Sequence, residues 1–148
     1  MATDSQASLL MYLYSTLTAD ATLKAAMGGT VRLMPVWATP DSEFPYLVHR
    51  IDNRAGQIFP ENNSVYYLDI WSDSPPPNVD ITEVTTIRKR IIELLDQLQF
   101  NTTDVKNCKL SLQTDGFIPE TTPGIWHYAM MFSLSIWRQS ETVVIIGR

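Results

Sequence analysis

Two histidines, His49 and His127, and a single cysteine, Cys108, are the residues of this chain most suited to metal or nucleophilic chemistry. A zinc site draws its ligands from imidazoles and thiolates at short, regular spacing, as in H-E-x-x-H or paired Cys-x-x-Cys. Neither pattern is present, and each histidine lies inside a run of β-forming residues, where a hydrogen-bonded strand histidine is the expected role. Cys108 has no local signature of a nucleophile and alternates with Leu110 and Leu112, so it is expected to fill core space. As the one thiol it also excludes an intrachain disulfide. Asp69 and Asp73 are the carboxylates that invite comparison with an acid–base pair, but they flank Trp71 in a strand and its exit, which would leave one toward solvent and the other in a turn. No G-x-x-x-x-G-K or G-x-G-x-x-G loop is available to cradle a phosphate, and no serine sits in G-x-S-x-G. No catalytic residue, metal ligand or cofactor site is therefore assigned.

Composition narrows the remaining classes. The 148 residues, 45% hydrophobic and 18% charged, have the length and apolar content of one globular domain. A net charge of -5 with scattered basic residues argues against sequence-independent binding of nucleic acid, which needs clustered Lys and Arg to neutralise phosphates. The one basic run, Arg88, Lys89 and Arg90, falls on a helix, where successive side chains diverge; a solvated face is its expected role. The start MATDSQASLL has no basic segment before an apolar core, and no apolar run nears the ~20 residues of a membrane span, so the chain is expected to be neither secreted nor membrane-embedded.

The elements that would position these residues follow from periodicity. The strongest is the stretch 80–100, in which Ile81, Val84, Ile87, Ile91, Leu94, Leu95 and Leu98 recur at spacings of three and four. It reads as a long central helix, started by Asp80 as N-cap with Glu83 reaching back, about 18 residues and ~27 Å long. A first helix over 5–17 would bury Leu9, Leu10, Leu13, Tyr14 and Leu17, with Leu23 and Met27 in a short second one closed by Gly28-Gly29. Residues 31–36 look extended. The runs 46–52 and 65–72 form a hairpin across the long loop 53–64, and 106–113 is a short strand followed by a second loop, 114–124. The most regular strand is 126–137, where Trp126, Tyr128, Met130, Phe132, Leu134 and Ile136 alternate with the opposite set and should face the helix. The order of elements predicts an α+β fold: an antiparallel or mixed sheet of about four to five strands, with the long central helix and the N-terminal helix packed on one face. Residues 1–148 form a single domain, with 139–148 as a C-terminal arm whose TVVII run, 142–146, is left over as a β-prone apolar segment. That segment pairs either with an edge of its own sheet or with a neighbouring subunit.

The order and spacing of these pieces carry a resemblance. The leucine-rich first helix, the Asp-Ala-Thr-Leu-Lys turn ending at Gly28-Gly29, the Val31 segment, Pro45-Tyr46-Leu47-Val48, Tyr67-Leu68-Asp69-Ile70-Trp71 and the central helix together resemble the phage tail terminator (tail-completion, minor tail protein) family of long-tailed phages. The resemblance implies a non-enzymatic virion protein without cofactors that forms a hexameric ring on the head-proximal end of the tail tube. Such a ring stops tube polymerisation and offers a docking surface to the head connector or stopper protein, with DNA only passing through its lumen. Assembly would take place in the host cytoplasm, with no membrane involved. Loop length and surplus apolar residues place the subunit and partner interfaces at Arg54, Gln57, Ile58 and Phe59 in loop 53–63, at Phe117 and Ile118 in loop 114–124, and at Val143, Val144, Ile145 and Ile146 in the arm. The alternatives are another head–tail neck protein, a stopper or adaptor, and, from a different class, a small α+β enzyme or ligand-binding domain. The last would need a deep pocket lined by His49 or His127 with convergent carboxylates.

Overall fold

A computed structural model describes residues 5–38, 42–53, 61–74, 80–103 and 105–138. The chain opens with α1 (Ser5–Thr18) and α2 (Ala21–Ala26), continues through β1 (Leu33–Pro35), β2 (Tyr46–Asn53) and β3 (Glu61–Asp73), and crosses in α3 (Thr82–Leu95). It ends in β4 (Gln99–Phe100), β5 (Val105–Ile118) and β6 (Ile125–Arg138). The strands make one six-stranded sheet in the order β1-β2-β3-β6-β5-β4. β1 runs parallel to β2 and every other neighbouring pair is antiparallel. The fold is thus the expected α+β type, with short edge strands raising the strand count to six. β6 lies in the middle, as its unbroken alternation requires.

The helices cover one face. Val84, Ile87, Ile91 and Leu95 of α3 and Leu9, Leu13 and Leu17 of α1 are buried. They join Leu47, Ile51, Tyr66, Leu68, Ile70, Met130, Phe132 and Leu134 in one core. The α1 stripe is narrower than the leucine spacing implies. Tyr14 points outward, half-exposed, and Tyr12 instead stacks on Phe100 with ring centroids 4.3 Å apart. Asp20 starts α2, its Oδ2 accepting from the Leu23 N–H at 2.8 Å, and Gly28 and Gly29 follow with φ of +84° and +112°, conformations that glycine adopts without strain.

Four boundaries differ from the periodic reading, each because hydrogen bonds to a distant element set it. The central helix ends at Leu95 rather than reaching Phe100. Gln97 takes a φ of +67°, its N–H donates to the Leu110 carbonyl at 2.8 Å, and the Asp96 carboxylate accepts from the Leu112 N–H at 2.9 Å, which turns the chain into the sheet edge. At the helix start Asp80 accepts from the Thr82 N–H, but Glu83 does not reach back; it accepts from the Ser72 hydroxyl and ties α3 to β3. The first expected loop is shortened, since β3 already begins at Glu61, where it pairs with Trp137 of β6. The second is shortened too: β5 runs on past a bulge near Gln113 to Ile118, so that Phe117 and Ile118 belong to a strand and not to a loop.

The basic run is not simply solvated. Arg88 Nε donates to Asp115, which also accepts from the Tyr128 hydroxyl, and Arg90 forms a two-point pair with Asp20, Nε to Oδ2 at 2.9 Å and Nη2 to Oδ1 at 2.7 Å. Both arginines pin α3 to distant parts of the fold, and Lys89 between them faces solvent.

Candidate functional site

Strand alternation sends a second set of side chains to the sheet face away from the helices. A transverse row crosses this open face: Tyr46 on β2 pairs with Trp71 on β3, Trp71 with His127 on β6, and His127 with Ile118 on β5. The rings stack along it, with centroids 6.1 Å apart for Tyr46–Trp71 and 3.9 Å for Trp71–His127. Beyond Tyr46, the row meets the end of β1. Val36 holds a φ of +68°, unusual for a β-branched residue, while its N–H donates to the His49 carbonyl at 2.9 Å, and the next residue, Trp37, is 77% exposed. Trp37, Tyr46, Val48, Asp69 and Trp71 line a groove of about 290 Å³ there. A second depression, about 320 Å³, lies over Tyr67, Gly116, Ile118, Ala129 and Met131.

His127 is the chemical centre of the row. Its Nε2 is 3.0 Å from Asp69 Oδ2 and its Nδ1 is 3.1 Å from Glu120 Oε2. Burial opposes a charge on the ring, but the hydrogen bonds to Asp69 and then Glu120 outweigh it, and its pKa lies above the ordinary value. The arrangement is an imidazole held between two carboxylates that favour the imidazolium. Both ring nitrogens are engaged by protein groups and the carboxylates bind opposite edges of the ring, so the three do not converge on one point where a metal or a reacting atom would sit. Among the described residues no group of three or more His, Cys, Asp or Glu is placed to hold a metal ion.

The other candidates from the sequence fall elsewhere. His49 sits on the helix-covered face, 3% exposed, with Nδ1 2.6 Å from the Tyr66 hydroxyl; burial lowers its pKa to about 4 and keeps it neutral. Both histidines are thus satisfied strand histidines. Cys108 is fully buried and its thiol is pushed up to about 11 by that burial, as expected of a core filler. Asp69 and Asp73 do not act as a pair, since Asp69 holds His127 and Asp73 is exposed. Phe117 and Ile118 stand at the end of β5, 43% and 42% exposed, on opposite faces of the sheet. Phe117 makes edge contacts with Tyr128 and Trp126 on the helix side. Arg54, Gln57, Ile58 and Phe59, and Val143, Val144, Ile145 and Ile146, lie outside the described residues.

Sequence reasoning missed the Asp69–His127–Glu120 cluster and the exposed Trp37. Asp69 and His127 meet only through the β3–β6 register, 58 residues apart, for which no local motif exists. The alternation of 126–137 does place His127 on the face away from the helices, and that was the available signal.

No protein-family model matches the chain, and no curated protein sequence matches it. Solved structures do share the fold. A chain from the virion of a native gene transfer agent particle superposes with a TM-score of 0.72 at 14% identity, covering 90% of this chain and 98% of that one. A second solved chain gives a TM-score of 0.63 at 10% identity, over 90% of this chain and 96% of its own length. At such identities the likeness is one of fold. Among the described residues no helix is long and apolar enough to cross a membrane.

Proposed function

We propose that the protein is a structural virion component, a tail terminator whose copies form a ring that caps the tail tube, stops its growth and receives the head connector. The observation that carries this reading is the near end-to-end superposition on a chain of the gene transfer agent virion, which leaves little of either chain unmatched. The form of the molecule supports it. One sheet face is closed by helices, and the other carries a row of aromatic rings and half-buried apolar side chains among polar ones, with an exposed Trp37, a mixture that protein partners cover. A terminator needs one ring face that binds the tube and another that lacks the tube's polymerising surface, so its work is adhesive and steric and requires no reacting group. Residues 54–60, between β2 and β3, and the arm 139–148 are assigned to contacts between copies and with tube and connector.

Electron microscopy of the purified protein, alone and mixed with tail tubes, tests the reading. Rings with a central hole, bound to one end of each tube, are the expected result. A protein that stays monomeric by light scattering, both alone and with tubes, overturns it. Binding to filled heads but not to tubes identifies a stopper in its place.

A further inference from the structure

The sheet has one long unpaired edge among the described residues. β4 covers β5 only at Lys109 and Cys108, and the turn after α3 supplies partners for Leu110 and Leu112. From Gln113 to Ile118 no described strand lies beside β5 on its outer side. At the end of this edge, Phe117 and Ile118 present half-exposed apolar side chains to opposite faces of the sheet. Residues 113–116 are polar or glycine, but the edge ends in apolar side chains on both faces, and such an end is suited to a partner strand that is also apolar on both faces. The sequence contains one such run outside the described residues, Val143-Val144-Ile145-Ile146.

That run cannot reach the edge within its own chain. β6 is flanked along its whole length, with Glu61 opposite Trp137 on one side and Val105 opposite Arg138 on the other, so the following segment has no room to fold back beside it. The part of the β5 edge nearest Arg138 is filled by Phe100, paired with Cys108, and by Thr102, whose N–H donates to the Val105 carbonyl. The free part begins beyond Leu112, which pairs with Phe132, six residues back along β6 from Arg138. That is about 20 Å along the sheet, and reaching the outer side of β5 adds two strand spacings, about 10 Å. The four residues from Arg138 to Thr142 span at most about 14 Å when fully extended.

We infer that residues 142–146 of one copy add a strand to the β5 edge, 113–118, of a neighbouring copy. The contact is heterologous, with different surfaces used on donor and acceptor, and repeated head to tail it closes a ring. This rests on the proposed reading that copies of the chain assemble, and it names the surfaces through which they do so.

Disulfide trapping in the full-length protein tests it. Gly116 is a suitable acceptor position, since a side chain built there meets nothing within 4 Å. The native Cys108 is buried, with its thiol pushed up to about 11, and stays out of the exchange. A Gly116→Cys chain is co-produced with a chain carrying Val143→Cys, Val144→Cys, Ile145→Cys or Ile146→Cys in turn. The expected result is a disulfide-linked pair for at least one of the four, approaching about half of the mixed protein, the limit for random co-assembly of two variants, and none in either variant alone. Val144→Asp in the full chain should convert rings to monomers while the far-ultraviolet circular dichroism stays unchanged. Rings that persist in Val144→Asp, or a doubly substituted chain that closes its disulfide within one molecule, overturn the strand exchange and leave the terminator reading standing. A wild-type protein that never assembles overturns both.

Discussion

The two faces of the sheet are built from alternate residues of the same strands, yet they hold their histidines in opposite states. On the helix side His49 is surrounded by apolar packing and a neutral phenol, and burial alone decides its protonation. On the open side His127 is nearly as buried, but Asp69 and Glu120 overcome the cost of burying a charge. The covered face takes its order from packing, with the ion pairs Arg88–Asp115 and Arg90–Asp20 at its margin, where α3 meets β5 and α2. The open face, which no helix covers among the described residues, is ordered by stacked rings and by carboxylates that fix an imidazole between strands.

The sharpest break of that comparison comes from neighbours on β6. Phe132→Ala, on the covered face, should cost about 3–5 kcal/mol of subunit stability in urea unfolding, whereas Met131→Ala, one residue away on the open face, should cost less than about 1.5 kcal/mol. Equal losses would show that both faces are packed within the single subunit. The second test is acid titration. His49 has a folded-state pKa near 4, against an ordinary value of 6.5, so the unfolded chain binds the extra proton between these values. Stability should therefore fall as the pH drops from about 6.5 to 4, by roughly 3 kcal/mol, and His49→Gln should flatten that slope.

His127 carries the opposite sign. Its folded-state pKa is raised, so its contribution is fully present below about 6.5 and is lost as the pH rises through the folded value. Denaturation midpoints of His127→Gln should lie below the wild type at mildly acid pH and converge toward it above neutrality. A difference that stays constant with pH would mean that the imidazole acts there by packing alone. The smallest effect is expected at Trp37. With 77% of its surface exposed, Trp37→Ala should shift subunit stability by no more than about 0.5 kcal/mol, measured by thermal unfolding. If the open face is a partner surface, the same substitution weakens assembly far more than folding.

Much of this architecture was legible in local patterns. The spacing of Val84, Ile87, Ile91 and Leu95 marked the buried stripe of α3, and the alternation from Trp126 to Ile136 marked the central strand and its helix-facing side. Element ends were less legible. Leu98 and Phe100 continue the helical pattern of apolar residues, but the Gln97 and Asp96 hydrogen bonds to β5 turn the chain away before either can join the helix. Thr114-Asp115-Gly116 has the composition of a loop and is a strand, because β6 supplies a ladder that outweighs its weak propensity.

By itself the sequence determined which segments have an apolar side and at what period, because burial of that side is the driving force for each element and its periodicity is written in consecutive residues. It also determined the absence of a recognised nucleophile, metal or phosphate motif. Only the tertiary structure decided that Asp20 meets Arg90 and that Asp69 and Glu120 enclose His127, since those partners come from distant positions through strand register and helix docking. It alone also left residues 113–118 of β5 without a neighbour on their outer side among the described residues, because whether a strand has a neighbour is a property of the whole sheet and of none of its residues.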